Sequence, residues 1–174
     1  MDNYLNHFNL IGTDKNYHST EDYNNTDVLV IVFSCNHCPY ARAYINRIHN
    51  FVSDYKNKSV KLLVINPNDA SRYPADSFDN MIPMAKQLGV EGLYLYDEDQ
   101  SVAKAYNAQR TPEIFVYDKD RNLKYHGAWD DNYENPESVT KKYLREAVDA
   151  ILEGKDPAVR ETQPIGCSIK WKEA

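Results

Sequence analysis

Two cysteines stand three residues apart in Cys35-Asn36-His37-Cys38, with Pro39 directly behind them. Thiols at this spacing suit a redox dithiol, a metal site or a haem attachment, or they are two structural thiols of no chemical role. Haem attachment requires a histidine after the second cysteine, and Pro39 holds that position. A zinc site requires four ligands. Cys35, His37, Cys38 and Cys167 would supply them, but three of the four crowd into four residues. A redox dithiol fits best. A thiolate at a helix N-terminus is stabilised by unpaired N–H groups and the helix dipole, and the thiolate is the species that attacks a disulfide. Cys35 is then the nucleophile and Cys38 the resolving thiol one turn on. Asn36 and His37, between them, are expected to tune the thiolate.

A second signature lies about 75 residues on. Thr111-Pro112 immediately precedes the apolar run EIFVY (113–117). A cis proline there, facing the dithiol, would leave the Thr111 backbone free to pair with a substrate chain. By default only about 5% of X-Pro bonds are cis, so the dipeptide alone carries no such expectation; a cis proline at this place is what the family resemblance given below implies.

These residues need a scaffold, and the hydrophobic pattern provides one. VLVIVFS (28–34) is a continuous β-branched and aromatic run, the mark of a strand covered on both faces. Behind CNHCP, Ala41, Ile45, Ile48, Val52 and Tyr55 form one stripe, which predicts a helix of about four turns with Pro39 in its first turn. The pair is therefore expected where a central strand feeds a helix. A second buried strand is expected over 60–66 and a short helix over 81–88, stopped by Gly89. A short strand over 93–96 and a helix over 100–106, capped by Asp99, come next. A hairpin joins 113–117 to 123–127. A last helix is expected to start at Asn135-Pro136-Glu137, with the stripe Leu144, Ala147, Val148, Ile151 and Leu152, and to close at Gly154. A further short strand is expected over 8–11. Alternating strands and helices predict an α/β fold with a parallel or mixed sheet between helices.

The chain has 174 residues, enough for one domain to bury a core without disulfide staples. Residues 1–174 are read as one domain, with 1–27 as an N-terminal extension and 155–174 as a tail. Asp and Glu exceed Lys and Arg by 26 to 20, and the net charge of −6 argues against nucleic acid or an anionic membrane as a partner. The longest apolar run has six residues, far below the ~20 of a membrane span. Asp2, Asn3, Asn6 and His7 do not suit the apolar core of a secretory signal. A cytoplasmic location is expected, and there a cysteine pair cycles rather than staples.

Several segments together are similar to one known group: FSCNHCPYARAY (33–44), VINPNDASRYPADSFDNM (64–81), YDEDQSVAKAYNAQRTPEIFVYD (96–118) and IGCSIKWK (165–172). They resemble the thioredoxin-like, peroxiredoxin-related redoxins, the alkyl hydroperoxide reductase/thiol-specific antioxidant proteins. The resemblance spans nearly the whole chain. It implies a thioredoxin-like fold, thiol redox chemistry, no bound cofactor, a disulfide or peroxide substrate, and electrons from a thioredoxin or glutathione system.

The departures from that pattern set limits. Peroxiredoxins carry P-x-x-x-T-x-x-C, whereas Val28 and Val32 precede Cys35, and Ile31 and Cys35 precede Cys38, at those offsets. Thioredoxins carry a buried Asp and a Trp before the first cysteine, where this chain has Leu29 and Ser34. Relatives carry a cysteine before Thr-Pro, where this chain has Arg110. If it faces the dithiol, Arg110 would favour thiolate. Cys167, in the tail motif, is read as a partly buried free thiol, with a second resolving cysteine or a substrate-side contact as the alternatives. Asp130 and Asp131, beside Trp129, are further candidates for the site lining, while helix capping accounts for Asp97 to Asp99. The expected activity is thiol–disulfide exchange. The alternatives are a thiol peroxidase and a metal- or partner-binding module built on the same cysteines.

Overall fold

The computed structural model describes residues 4–173. The start of the N-terminal extension (1–3) and the last tail residue lie outside the described residues. The elements run β1 (Asn9–Gly12), β2 (Tyr17–Ser19), β3 (Val28–Phe33), α1 (Pro39–Ala43), α2 (Ile45–Asp54), β4 (Val60–Asn66), α3 (Phe78–Leu88), β5 (Tyr94–Tyr96), α4 (Ser101–Ala105), β6 (Arg110–Thr111), β7 (Glu113–Tyr117), β8 (Leu123–Gly127), α5 (Tyr143–Leu152) and β9 (Cys167–Ser168). Seven strands form one mixed sheet in the order β2-β1-β5-β4-β3-β7-β8. β3 lies parallel to β4, and β4 to β5, while β7 runs antiparallel to β3. A separate two-stranded ribbon pairs β6 with β9.

β3 shows why its run lacks polar alternation. Val28, Val30 and Val32 face α2, α3 and α5 through Ile48, Phe51, Met81, Leu88, Leu144 and Val148. Leu29, Ile31 and Phe33 face the other side, against Val102, Ala103, Tyr106 and Ile169. All six strand residues are completely buried. Burying each such side chain contributes about 1.5–3 kcal/mol, so this strand is the rigid base of whatever follows it. Among the described residues no helix is long and apolar enough to cross a membrane.

Three expectations are corrected. The helix read over 39–55 is two helices, broken at Tyr44 (φ −99°, ψ 0°). Groups beyond the helix hold the break: the Tyr44 hydroxyl donates to Asp130 Oδ1 at 2.8 Å, and Arg47 donates to the same carboxylate and to the Asn132 and Tyr133 carbonyls. The last helix starts at Tyr143, not at Asn135-Pro136. Asn135 caps only a single turn of 3-10 helix, and the chain then runs extended at Val139 while Asp131 takes the Thr140 N–H. Finally, α3 begins three residues earlier than read, because Ser77 caps it by accepting the Asn80 N–H. Gly89 and Gly154 do adopt the left-handed conformation that closes their helices.

Candidate functional site

The site begins where β3 ends. Ser34 still pairs with β4, its N–H donating to the Ile65 carbonyl at 2.8 Å. The chain then leaves the sheet through Cys35-Asn36-His37 and enters α1, with Cys38 as the N-cap residue and Pro39 in the first turn. Cys35 therefore lies three residues ahead of the cap rather than on the helix terminus.

What holds this loop is a carboxylate 40 residues away. Asp76, completely buried in the turn before α3, accepts the Asn36 N–H at 2.7 Å and the His37 N–H at 3.2 Å on Oδ1. Its Oδ2 meets His37 Nδ1 at 2.5 Å and accepts from Asn68 Nδ2 at 2.9 Å. The His37 ring stacks on Tyr73, with centroids 5.8 Å apart. Asn36 pins the loop. It donates to the Ala75 carbonyl at 3.0 Å, and its Oδ1 accepts the Tyr94 hydroxyl at 2.8 Å.

Opposite the loop, Thr111-Pro112 is cis. Thr111 faces both cysteines of the motif: its hydroxyl lies 3.5 Å from Cys35 Sγ, and its carbonyl oxygen 3.6 Å from Cys38 Sγ. Glu113 braces this bend by accepting the N–H groups of Gln109 (2.8 Å) and Arg110 (2.9 Å), and His126 Nε2 meets its other oxygen at 2.6 Å.

The tail supplies the third sulfur, and here the expectation for Cys167 is corrected. It is not a free thiol: Cys38 and Cys167 form a disulfide, with Cα atoms 6.3 Å apart. β9 runs antiparallel to β6 in a register that sets Cys167 opposite Thr111, the residue that faces Cys38. A side chain on Gly166 would meet the Thr111 carbonyl oxygen within 2.3 Å, so only glycine permits this approach. The expected Cys35–Cys38 bridge is accordingly absent, and Cys35 is the one free thiol among the described residues. Cys35, Cys38 and Cys167 pack together with Ala41 and Tyr40.

The electrostatics also differ from the thiolate expected at Cys35. Its side chain is 4% exposed. Burial first, and the Asp76 charge second, push its thiol up to about 11, against the pull of the Thr111 hydroxyl and the His37 and Cys38 N–H groups. At neutral pH the thiol form is therefore strongly favoured. Arg110 does not offset this. Its side chain is exposed, and alternation along β6 sets it on the face opposite Thr111. Asp130 and Asp131 are engaged elsewhere, with Arg47 and Thr140. Asp97 and Asp99 do cap α4.

For a metal, the disulfide removes two of the four ligands read from the sequence. Cys35, His37 and Asp76 still bring a thiol, an imidazole and a carboxylate within 4.8 Å of one another, but four N–H donors already occupy the Asp76 oxygens. Asp76 is the residue that sequence reading missed. It lies inside the VINPNDASRYPADSFDNM block, which carried the resemblance without singling it out.

A Redoxin family model matches residues 2–144. No curated protein matches the chain significantly. Among solved structures, an uncharacterized conserved protein from Geobacillus kaustophilus is 40% identical, with 98% of this chain and 92% of that one covered at a TM-score of 0.92. A hypothetical protein from Sinorhizobium meliloti 1021 is 35% identical, with coverages of 98% and 94%, also at 0.92. A secreted Mycobacterium tuberculosis disulfide oxidoreductase homologous to E. coli DsbE shares the fold at 14% identity, covering 84% and 95%, with a TM-score of 0.60. The mixed sheet between helices is thus the thioredoxin-like arrangement.

Proposed function

The chain belongs to the Redoxin family, and from that premise we propose that it is a thiol–disulfide oxidoreductase working through Cys35, Cys38 and Cys167. The observation that carries this reading is the disulfide itself: Cys38–Cys167 lies in one apolar cluster with the free thiol of Cys35, beside the cis Thr111-Pro112 bend. A disulfide with a third thiol packed beside it is an arrangement for exchange, since each exchange step needs only a thiolate in contact with a disulfide sulfur. The substrate is a disulfide, in a protein or a small molecule, and a thioredoxin or glutathione system is the electron source. A reducing cytoplasm suits such a cycle.

Peroxidase chemistry is the weaker reading. It requires an accessible thiolate that peroxide can oxidise to sulfenic acid, and Cys35 is neither accessible nor readily ionised in this state. The test compares reduction of insulin disulfides with consumption of hydrogen peroxide by the reduced protein. The reading predicts that insulin reduction runs well above the dithiothreitol background and is lost in Cys38→Ser. Peroxide consumption without disulfide reduction would replace it with the peroxidase reading.

A further inference from the structure

The three sulfurs are not equally placed. Cys38 is completely buried and Cys35 nearly so, while Cys167 is partly exposed. Exchange at a disulfide depends on which sulfur an incoming thiolate can reach. From outside, only Cys167 offers that approach.

Nor is Cys167 a loose end waiting to be released. The residues after it are built into the fold. Ile169 is 3% exposed, lies in the core beside β3, and donates its N–H to the Gln109 carbonyl. The Lys170 N–H donates to Asn68 Oδ1 at 2.9 Å, and its carbonyl accepts from the Asp69 N–H and from Gln100 Nε2, both at 2.9 Å. The Lys172 N–H donates to Gln100 Oε1 at 2.9 Å. Breaking the disulfide removes none of these bonds. The reduced Cys167 thiol therefore stays beside Cys38.

Resting on the reading of this cluster as an exchange centre, we infer that Cys167 is the sulfur that meets the external partner and that Cys38 carries the disulfide between Cys167 at the surface and Cys35 in the interior. In the reducing direction, the Cys167 thiolate attacks an external disulfide RSSR. A Cys167–SR bond forms, and RS⁻ leaves and takes up a proton. The Cys38 thiolate then attacks Cys167 Sγ, releasing the second RS⁻ and leaving the Cys38–Cys167 disulfide. Two electrons have passed from two protein thiols to RSSR. The Cys35 thiolate can next attack Cys38 Sγ, forming Cys35–Cys38 and releasing Cys167 as thiolate, with no net electron transfer. Thiols of the reducing system reverse the sequence by entering at Cys167 while it is bonded to Cys38. Cys35, itself nearly buried, takes part only in the internal step.

Two double variants isolate the port. Cys35→Ser/Cys38→Ser leaves Cys167 as the only thiol, and Cys38→Ser/Cys167→Ser leaves Cys35. Each is reduced, checked for native circular dichroism, and exposed to glutathione disulfide at pH 7, with the adduct followed by intact mass. The inference predicts glutathionylation at least tenfold faster when Cys167 is the thiol retained. Equal or faster reaction at Cys35 overturns it. Should a variant fail to fold, the wild-type protein supplies the same comparison. After full reduction, a short iodoacetamide pulse and peptide mapping must find Cys167 alkylated ahead of Cys35, and the opposite order overturns the inference. If Cys167 is the faster port but the intact protein reduces no disulfide substrate, the exchange reading fails instead, so the two failures are distinguishable.

Discussion

Asp76 Oδ2 and His37 Nδ1 meet at 2.5 Å beneath the loop that carries Cys35 and Cys38. The same carboxylate accepts the loop's Asn36 and His37 N–H groups through its other oxygen. One buried side chain thus fixes the backbone between the two cysteines, a task that the helix terminus does not perform because α1 starts only at Pro39. The arrangement also places an anion near Cys35, which works against ionisation of the thiol.

Replacing Asp76 separates these two effects. Asp76→Asn removes the charge, so the Cys35 pKa should fall below about 11 while burial, the larger cause, still holds it above the ordinary thiol value. In the oxidised protein Cys35 is the only titrating thiol, so the pH dependence of its alkylation by iodoacetamide reports it directly. In the wild type the rate should climb about tenfold per pH unit through pH 9. A plateau near pH 7 would contradict the assigned electrostatics. Asp76→Ala leaves buried donors unpaired and should cost on the order of 3 kcal/mol in urea unfolding.

Gly166 is the point of closest approach between the tail and the cis-proline bend. Gly166→Ala puts a methyl group against the backbone of Thr111 and Pro112. It should destabilise the oxidised protein by about 1–3 kcal/mol and shift the glutathione redox equilibrium toward the reduced form. An unchanged melting temperature and unchanged equilibrium would show that the tail does not dock in this register.

The Cys38–Cys167 bond closes a loop across 129 residues of sequence. On the chain-entropy account, a cross-link of that span contributes about 4–5 kcal/mol by restricting the unfolded chain. Cys167→Ala should therefore lower the denaturation midpoint of the oxidised protein and leave that of the reduced protein nearly unchanged. A variant as stable as oxidised wild type would mean that the bond does not form.

His126 sets a pH dependence behind the bend. Burial works to lower its pKa, but hydrogen bonds to Glu113 and Glu161 prevail and raise it above 6.5. The charged ring is thus favoured in the folded state. Its contribution is complete below the unfolded value of about 6.5 and is lost as pH rises through the raised folded value. The melting temperature of wild type minus that of His126→Gln should be largest near pH 6 and shrink above neutrality. A difference that grows with pH would contradict the assignment.

Much of this was legible in the sequence where the signal was local. The β3 run announced two-sided burial, and the CNHCP block followed by an apolar stripe placed the cysteines at the strand-to-helix junction. Because a proline before an apolar strand is trans by default, the cis bend at Thr111-Pro112 was legible only through the family resemblance. The relationships across distance were not. Nothing in the spacing tells that Asp76 reaches back 40 residues to the cysteine loop, because a buried carboxylate looks the same in sequence as one capping a turn. The tail motif named Cys167 but not its partner, since pairing depends on the β6–β9 register, and that register is set by two residues on each side. The break at Tyr44 was hidden because the apolar stripe continues through it, while the groups that hold it come from 130–133.

The central claim is tested most directly by equilibrating the protein in glutathione buffers from about −320 to −120 mV, quenching with acid, and mapping every cysteine by peptide mass. A redox-active Cys38–Cys167 bond predicts one two-electron transition, in which Cys167 and Cys38 lose their reactivity toward alkylating reagent together while Cys35 remains a thiol in the principal oxidised form. A chain that keeps three thiols across the whole range, or that bridges only Cys35 to Cys38 and leaves Cys167 free at every potential, would contradict it.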